Sequence, residues 1–186
     1  ERVDWVKFSG ASWLKDGFFY SRYPAPHEGT EMSNLNIYHS VYFHKLGMKQ
    51  EDDKLIYEDR EHPKMNHNAS VTEDERFLVL YASPGTDGSA TYIKNVEKNS
   101  DFQLLFEGYS NKSNIVHHLG NGQFLVHTDI DAPKYRLIQV EANGPAKENW
   151  KDIIPESENL LEGVNTGGGK LFATYLQDAT NRIYQL

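Results

Sequence analysis

Histidines, clustered carboxylates and a glycine run are the residues of this 186-residue chain whose types could do chemistry, and their spacing decides whether they can. His117-His118 are adjacent. On a strand, neighbours point to opposite faces, so the two cannot serve one site. His62 and His67 stand either side of Pro63 in a connection. That is not a helical metal spacing, and both are expected to be solvated loop side chains. No His-Glu-x-x-His pattern occurs, and no serine has a base at a motif spacing. The runs Glu51-Asp52-Asp53 and Glu73-Asp74-Glu75 fall in predicted turns. A glycosidase needs two carboxylates held across one cleft, and turn residues of this kind are ordinarily just solvated. Gly167-Gly168-Gly169 precedes a strand rather than a helix, which leaves no helix N-terminus to hold a phosphate, so it reads as a hairpin turn. Asn68-Ala69-Ser70 and Asn111-Lys112-Ser113 match a glycosylation sequon, which matters only in a eukaryotic secretory setting. The residues point to no catalytic centre of their own, and no metal or cofactor is expected.

The elements that would position these residues repeat along the chain. A hairpin with an Asp16-Gly17 turn spans Trp13–Tyr23. Related hairpins turn at Glu73-Asp74-Glu75, Asn121-Gly122 and Gly167-Gly168-Gly169. Asp-Gly and Asn-Gly supply the positive φ angles of tight hairpin turns. A third strand follows each hairpin, at Ser40–Leu46, Thr91–Val96, Tyr135–Val140 and Arg182–Leu186. A fourth follows in three copies, at Lys54–Glu58, Phe102–Phe106 and Trp150–Ile154. Four short antiparallel strands at a period of about 45 residues are the signature of a β-propeller blade. The rival architecture is a β-sandwich with evenly spaced strands. The expected fold is all-β: three complete four-stranded blades and most of a fourth, at about 3–60, 64–108, 113–156 and 160–186, forming an arc of a larger propeller. The abundant Tyr, Phe and Trp are expected to stack between blades.

Composition excludes several classes. A formal net charge of −8 argues against a nucleic-acid or membrane-surface partner. The absence of Cys removes disulfides and thiolate chemistry. No apolar run reaches membrane-spanning length. The chain begins at Glu1 rather than Met and is expected to be processed or part of a longer protein, in the cytoplasm or the periplasm.

Four ordered stretches, "WVKFSGASWLKDGFFYSRYP", "VYFHKLGMKQEDDKLIYED", "HPKMNHNASVTEDERFLVLYASPGTD" and "PKYRLIQVE", resemble the propeller of the prolyl oligopeptidase family, of bacterial type. The resemblance runs from about Trp5 to Leu186. It implies a seven-bladed propeller beside an α/β-hydrolase domain that carries a Ser-Asp-His triad and cuts short peptides after proline. The propeller would cover the active site and exclude large folded proteins. No Gly-x-Ser-x-Gly elbow occurs here, so the triad is expected outside these residues, and the chain is expected to be inactive alone.

In a meander the second-to-third-strand loops and the blade connections share one face. Here that face carries the long segments Tyr23–Asn36, Ser83–Ala90 and 58–68. The resemblance implies that this face looks toward the hydrolase domain of the same parent chain. It places substrate-side positions near Asn66 and Thr86. Arg22 is a candidate partner for a carboxylate across the domain interface. The expected ligands are short proline-containing peptides. Two other functions are weighed: a non-enzymatic propeller binding a peptide or protein on its loop face, and a hydrolase using its own carboxylates. The chain is also expected to self-associate through its bared terminal blade faces, or to complete the edge at Arg182–Leu186 with Glu1–Val3 or another chain.

Overall fold

The computed structural model describes residues 2–30, 35–98 and 100–186. Glu1, residues 31–34 of the Tyr23–Asn36 insertion and Asn99 lie outside the described residues. The first sheet runs β1 (Ser12–Leu14), β2 (Gly17–Arg22), β3 (Ser40–Lys45) and β4 (Lys54–Tyr57) in chain order. The second runs β5 (Asn66–Val71), β6 (Phe77–Ser83), β7 (Ala90–Asn95) and β8 (Gln103–Phe106). The third holds β9 (Ser113–Gly120), β10 (Gln123–Thr128), β11 (Arg136–Glu141) and β12 (Lys151–Ile154). The fourth has three strands, β13 (Leu160–Gly167), β14 (Lys170–Gln177) and β15 (Thr180–Gln185). Three four-stranded meanders and one three-stranded meander are the expected set of blades. Among the described residues no helix is long and apolar enough to cross a membrane.

Glu1–Thr86 with Ala90–Leu104 form one compact unit, and Asp87–Ser89 with Leu105–Leu186 another. In the first, Leu14, Phe19 and Leu78 form a buried cluster flanked by Phe43, Ile56, Val71 and Val96. In the second, Leu125, Leu137, Ile154, Leu161, Val164 and Ala173 form the core. Central strands are continuous apolar runs because both of their faces are covered. Leu78, Val79 and Leu80 of β6 are all buried, as are Phe124, Leu125 and Val126 of β10. In β15 all six residues are exposed, Ile183 and Tyr184 included.

The turns show where local chemistry decides. Asn121-Gly122 and Gly168-Gly169 take positive φ at both positions, as the hairpins require. The opening hairpin is different. Its turn is Lys15-Asp16, with Lys15 at φ 52°, and Gly17 already belongs to β2. Gly17 is needed for space rather than for φ. A Cβ there would lie 2.2 Å from the carbonyl oxygen of His44 and 2.6 Å from the Phe43 ring. In the fourth sheet the β14–β15 turn is Asp178-Ala179, both at positive φ and without glycine.

Among the described residues the fourth sheet has three strands, and no N-terminal strand joins it. Arg2 and Val3 form no strand. Arg2 pairs with Asp4, and Asp4 N–H donates to Gln50 Oε1 at 2.8 Å while Gln50 Nε2 donates back to Asp4 O. This reciprocal pair of hydrogen bonds holds the segment at residue 50.

Gly17→Ala is expected to destabilise the fold by roughly 2 kcal/mol, because the clash is with backbone as well as a ring. Denaturant unfolding measures it, and an unchanged midpoint would contradict the close approach.

Candidate functional site

Strand direction collects the candidate residues at one end of the first unit. β2 finishes at Arg22, opposite Ser40 at the start of β3. β5 begins at Asn66, opposite Ser83 at the end of β6. Backbone and side chains tie these ends together. Tyr38 N–H donates to Pro63 O at 2.7 Å. Tyr23 N–H donates to Trp5 O at 3.2 Å, and the Tyr23 hydroxyl donates to Asn66 Oδ1 at 2.9 Å. Lys7 Nζ donates to Asn36 Oδ1 at 3.0 Å.

Two buried histidines make the tightest link. His67 N–H donates to His39 Nδ1 at 3.0 Å, and His67 Nδ1 lies 2.6 Å from His39 O. A backbone N–H can only donate, so His39 Nδ1 carries no proton. Its Nε2–H therefore donates to Lys7 O, 3.0 Å away. A carbonyl can only accept, so His67 holds its proton on Nδ1. His67 Nε2 is left as a buried lone pair without a partner. The Tyr23 ring packs on His39 at 4.6 Å, and the Tyr57 ring on His67 at 5.0 Å. Burial pushes the His39 imidazole down to about 4, with its bond to Lys7 opposing and His67 adding to the shift. Burial lowers His67 in the same way.

This corrects the reading of His67 as a solvated loop residue. β5 starts at Asn66, ahead of the Ser70-Val71 seen in the sequence, and carries His67 inward. His62 is exposed, with Nδ1 2.9 Å from Asp59 Oδ2. No spacing rule joins His39 to His67; only the packing of the first sheet against the second does. His117 and His118 pair with Leu125 and Phe124 on β10.

Asp53 is the second correction. Its carboxylate is 1% exposed, not solvated. A 3-10 turn at Gln50–Asp52 is closed by Asp53 N–H donating to Gln50 O, and β4 follows at once. Asp53 accepts from the Tyr20 hydroxyl at 2.6 Å and from His44 Nδ1–H at 2.7 Å. Burial, then the Asp53 bond, raises the Tyr20 phenol well above its ordinary range. A phenol, a carboxylate and an imidazole in a row could move protons. Here the Tyr20, Asp53 and His44 side chains are buried, out of reach of a substrate. They brace the first sheet. Among the described residues there is no catalytic triad and no metal-holding cluster.

The three candidates sit as follows. Arg22 is half-buried, its guanidinium 4.2 Å above the Tyr42 ring and its Nε buried without a partner. Asn66 is half-buried and bonded to Tyr23. Thr86 is exposed in the β6–β7 loop, three residues beyond the Ser83 that faces Asn66. Tyr23, next to Arg22, brings Asn66 close; no described bond joins Thr86 to either.

His39 sets a pH dependence. As pH falls below 6.5 the unfolded chain takes up a proton that folded His39 refuses until about 4. Stability is therefore full above that window and declines through it, by roughly 3 kcal/mol from this residue alone. The His39 ring resonances are expected to stay constant from pH 8 to about 5. Titration near pH 6.5 would show that the reciprocal bonds do not form.

The family model for the prolyl oligopeptidase N-terminal β-propeller domain matches residues 1–186. A prolyl endopeptidase of Elizabethkingia meningoseptica is 44% identical over 181 residues, covering 97% of this chain and 25% of that protein. Among solved structures, prolyl oligopeptidase B of Galerina marginata bound to a 35-residue substrate superposes with a TM-score of 0.87 at 27% identity, over 97% of this chain and 26% of that one. A structure from work on inter-domain dynamics in two prolyl endopeptidases gives 0.83 at 29% identity, over 98% and 26%. The chain thus spans about a quarter of the length of the relatives it matches. Its sheets, its turns and this match agree: the chain belongs to the prolyl oligopeptidase N-terminal β-propeller family.

Proposed function

We propose that this chain is the gating and size-filtering part of a serine peptidase that cleaves short peptides after proline, and that it is inactive alone. The observation that carries the reading is the family match over residues 1–186 in a chain with no triad among its described residues. The partner in this reading is an α/β-hydrolase domain of the same parent chain, and the compartment is cytoplasmic or periplasmic. The loop end built on Tyr23, Asn66 and the His39–His67 pair is the side offered to that domain. Arg22 supports it. Stacking on Tyr42 holds its guanidinium in place, yet no carboxylate pairs with it among the described residues. An immobilised, unpaired guanidinium suits a carboxylate supplied from elsewhere. Asn66 and Thr86 would then contribute polar contacts to the peptide side. In one relative named above, inter-domain dynamics bear on catalysis and specificity, in keeping with a gate.

An antibody raised against this chain is expected to detect, in source cells, a protein several times larger than 21.3 kDa. That protein should cleave a short proline-containing reporter peptide, and the 186-residue chain alone should not. A native species near 21.3 kDa would favour the binding-module reading. Cleavage by the isolated chain would overturn the proposed division of labour.

The isolated chain is further expected to self-associate. β15 offers an edge whose six residues are all exposed, and Ile183 and Leu186 are 69% and 61% exposed. Unpaired edges with apolar side chains recruit other strands. Light scattering at rising concentration should show oligomers; a stable monomer that binds no exposed-surface dye would refute this.

A further inference from the structure

At the end of the first unit remote from Arg22 and Asn66, a cleft of about 170 Å³ opens between its two sheets. Phe19, Phe43, Ile56 and Val96 are among its apolar walls, and Lys54 and Lys94 also line it. Both lysines stand at unusual positions. Residues directly opposite on antiparallel strands share a face. Lys94 is opposite Leu78, and Lys54 is opposite Phe43. Leu78 belongs to the unit's core cluster and Phe43 packs against it. Each lysine therefore projects from the core-bearing face of its sheet, and the two come from different sheets toward one cleft.

Neither ammonium has an acidic partner among the described residues. Lys94 Nζ lies 5.6 Å from the centre of the Phe102 ring, and that is its described polar contact. Carboxylates are not scarce: the chain has 27 acidic residues against 19 basic ones. Two like charges on one apolar cleft oppose each other unless an anion stands between them. Lysine stems readily line apolar surface while their ammonium groups stay at the rim.

We propose that this cleft is a binding site for a small organic carboxylate with an apolar tail of about six carbons. The tail fills the space between Phe19, Phe43 and Ile56, and the carboxylate meets Lys54 and Lys94. The size fits, since a cavity of about 150 Å³ holds one benzene ring. The site is separate from the loop end and does not depend on the peptidase reading.

The test uses the protein in its natural length, titrated calorimetrically with hexanoate and, as a control of equal tail and opposite charge, hexylammonium. Hexanoate is expected to bind saturably and at least about tenfold more tightly than hexylammonium. Lys54→Met and Lys94→Met keep the stems and remove the charges; each should weaken hexanoate by about tenfold and leave peptide cleavage unchanged. Equal binding of the two probes, no saturable binding, or hexanoate binding indifferent to both substitutions would overturn the proposal.

Discussion

The His39 ring can hold its place only while neutral, because one neighbour can do nothing but donate to it and another nothing but accept. The His67 amide fixes one ring nitrogen as an acceptor, and the Lys7 carbonyl fixes the other as a donor. A proton on Nδ1 would set two donors against each other inside a fully buried space. The loop end of the first unit is built on this arrangement. Tyr23 packs at a tilt on the neutral ring, and its hydroxyl then reaches Asn66. The start of β3 and the start of β5 are held side by side by backbone and ring together. Loss of the ring would leave a buried amide and a carbonyl without partners, a larger cost than any one bond is worth.

Several of the groups suited to chemistry are turned inward in a similar way. Asp53 serves Tyr20 and His44, and His127 donates from Nε2 to Leu161 O at 2.8 Å while stacking on Tyr135. Buried polar contacts of this kind rigidify what they join. The candidates at the loop end are modest: a stacked arginine, an asparagine already sharing one bond, and an exposed threonine. In the proposed reading such groups position and select. None of these three supplies a nucleophile with its base, in keeping with the proposed division of labour.

The repeat is legible in the sequence because turn chemistry is local. Asn121-Gly122 and Gly168-Gly169 announce their hairpins through residues that tolerate positive φ. Lys15-Asp16 does not, since the neighbouring Gly17 offers a better-looking turn one residue on. The role of Gly17 comes from a contact with β3, which sequence order does not reveal. Asp53 and His67 escape a sequence reading for a related reason. Each sits at the junction of a polar connection and a strand, and a shift of strand onset decides between solvent and core. Arg22, Asn66 and Thr86 can be named from order along the chain. The bonds that place Asn66 depend on His39, for which no motif exists.

The two sheets of the first unit are fastened unequally. At the loop end three backbone-anchored links join them, from Tyr38 to Pro63 and twice between His39 and His67. At the other end Val71 N–H donates to Ser12 Oγ at 2.8 Å, and otherwise the sheets meet through apolar side chains and leave a cleft of about 170 Å³. Dispersion attraction is non-directional and fades gradually as surfaces separate, whereas the histidine bonds fail once their geometry is broken. The loop end carries more of these directional links than the end beside Lys54 and Lys94, where the bond from Val71 to Ser12 stands alone among the described hydrogen bonds. A ligand entering the cleft would act on the end with fewer such links. Its effect would reach Asn66 only through strands whose far ends are already held by hydrogen bonds. The loop end can thus keep its shape while the opposite end adapts, as the role proposed for that surface requires.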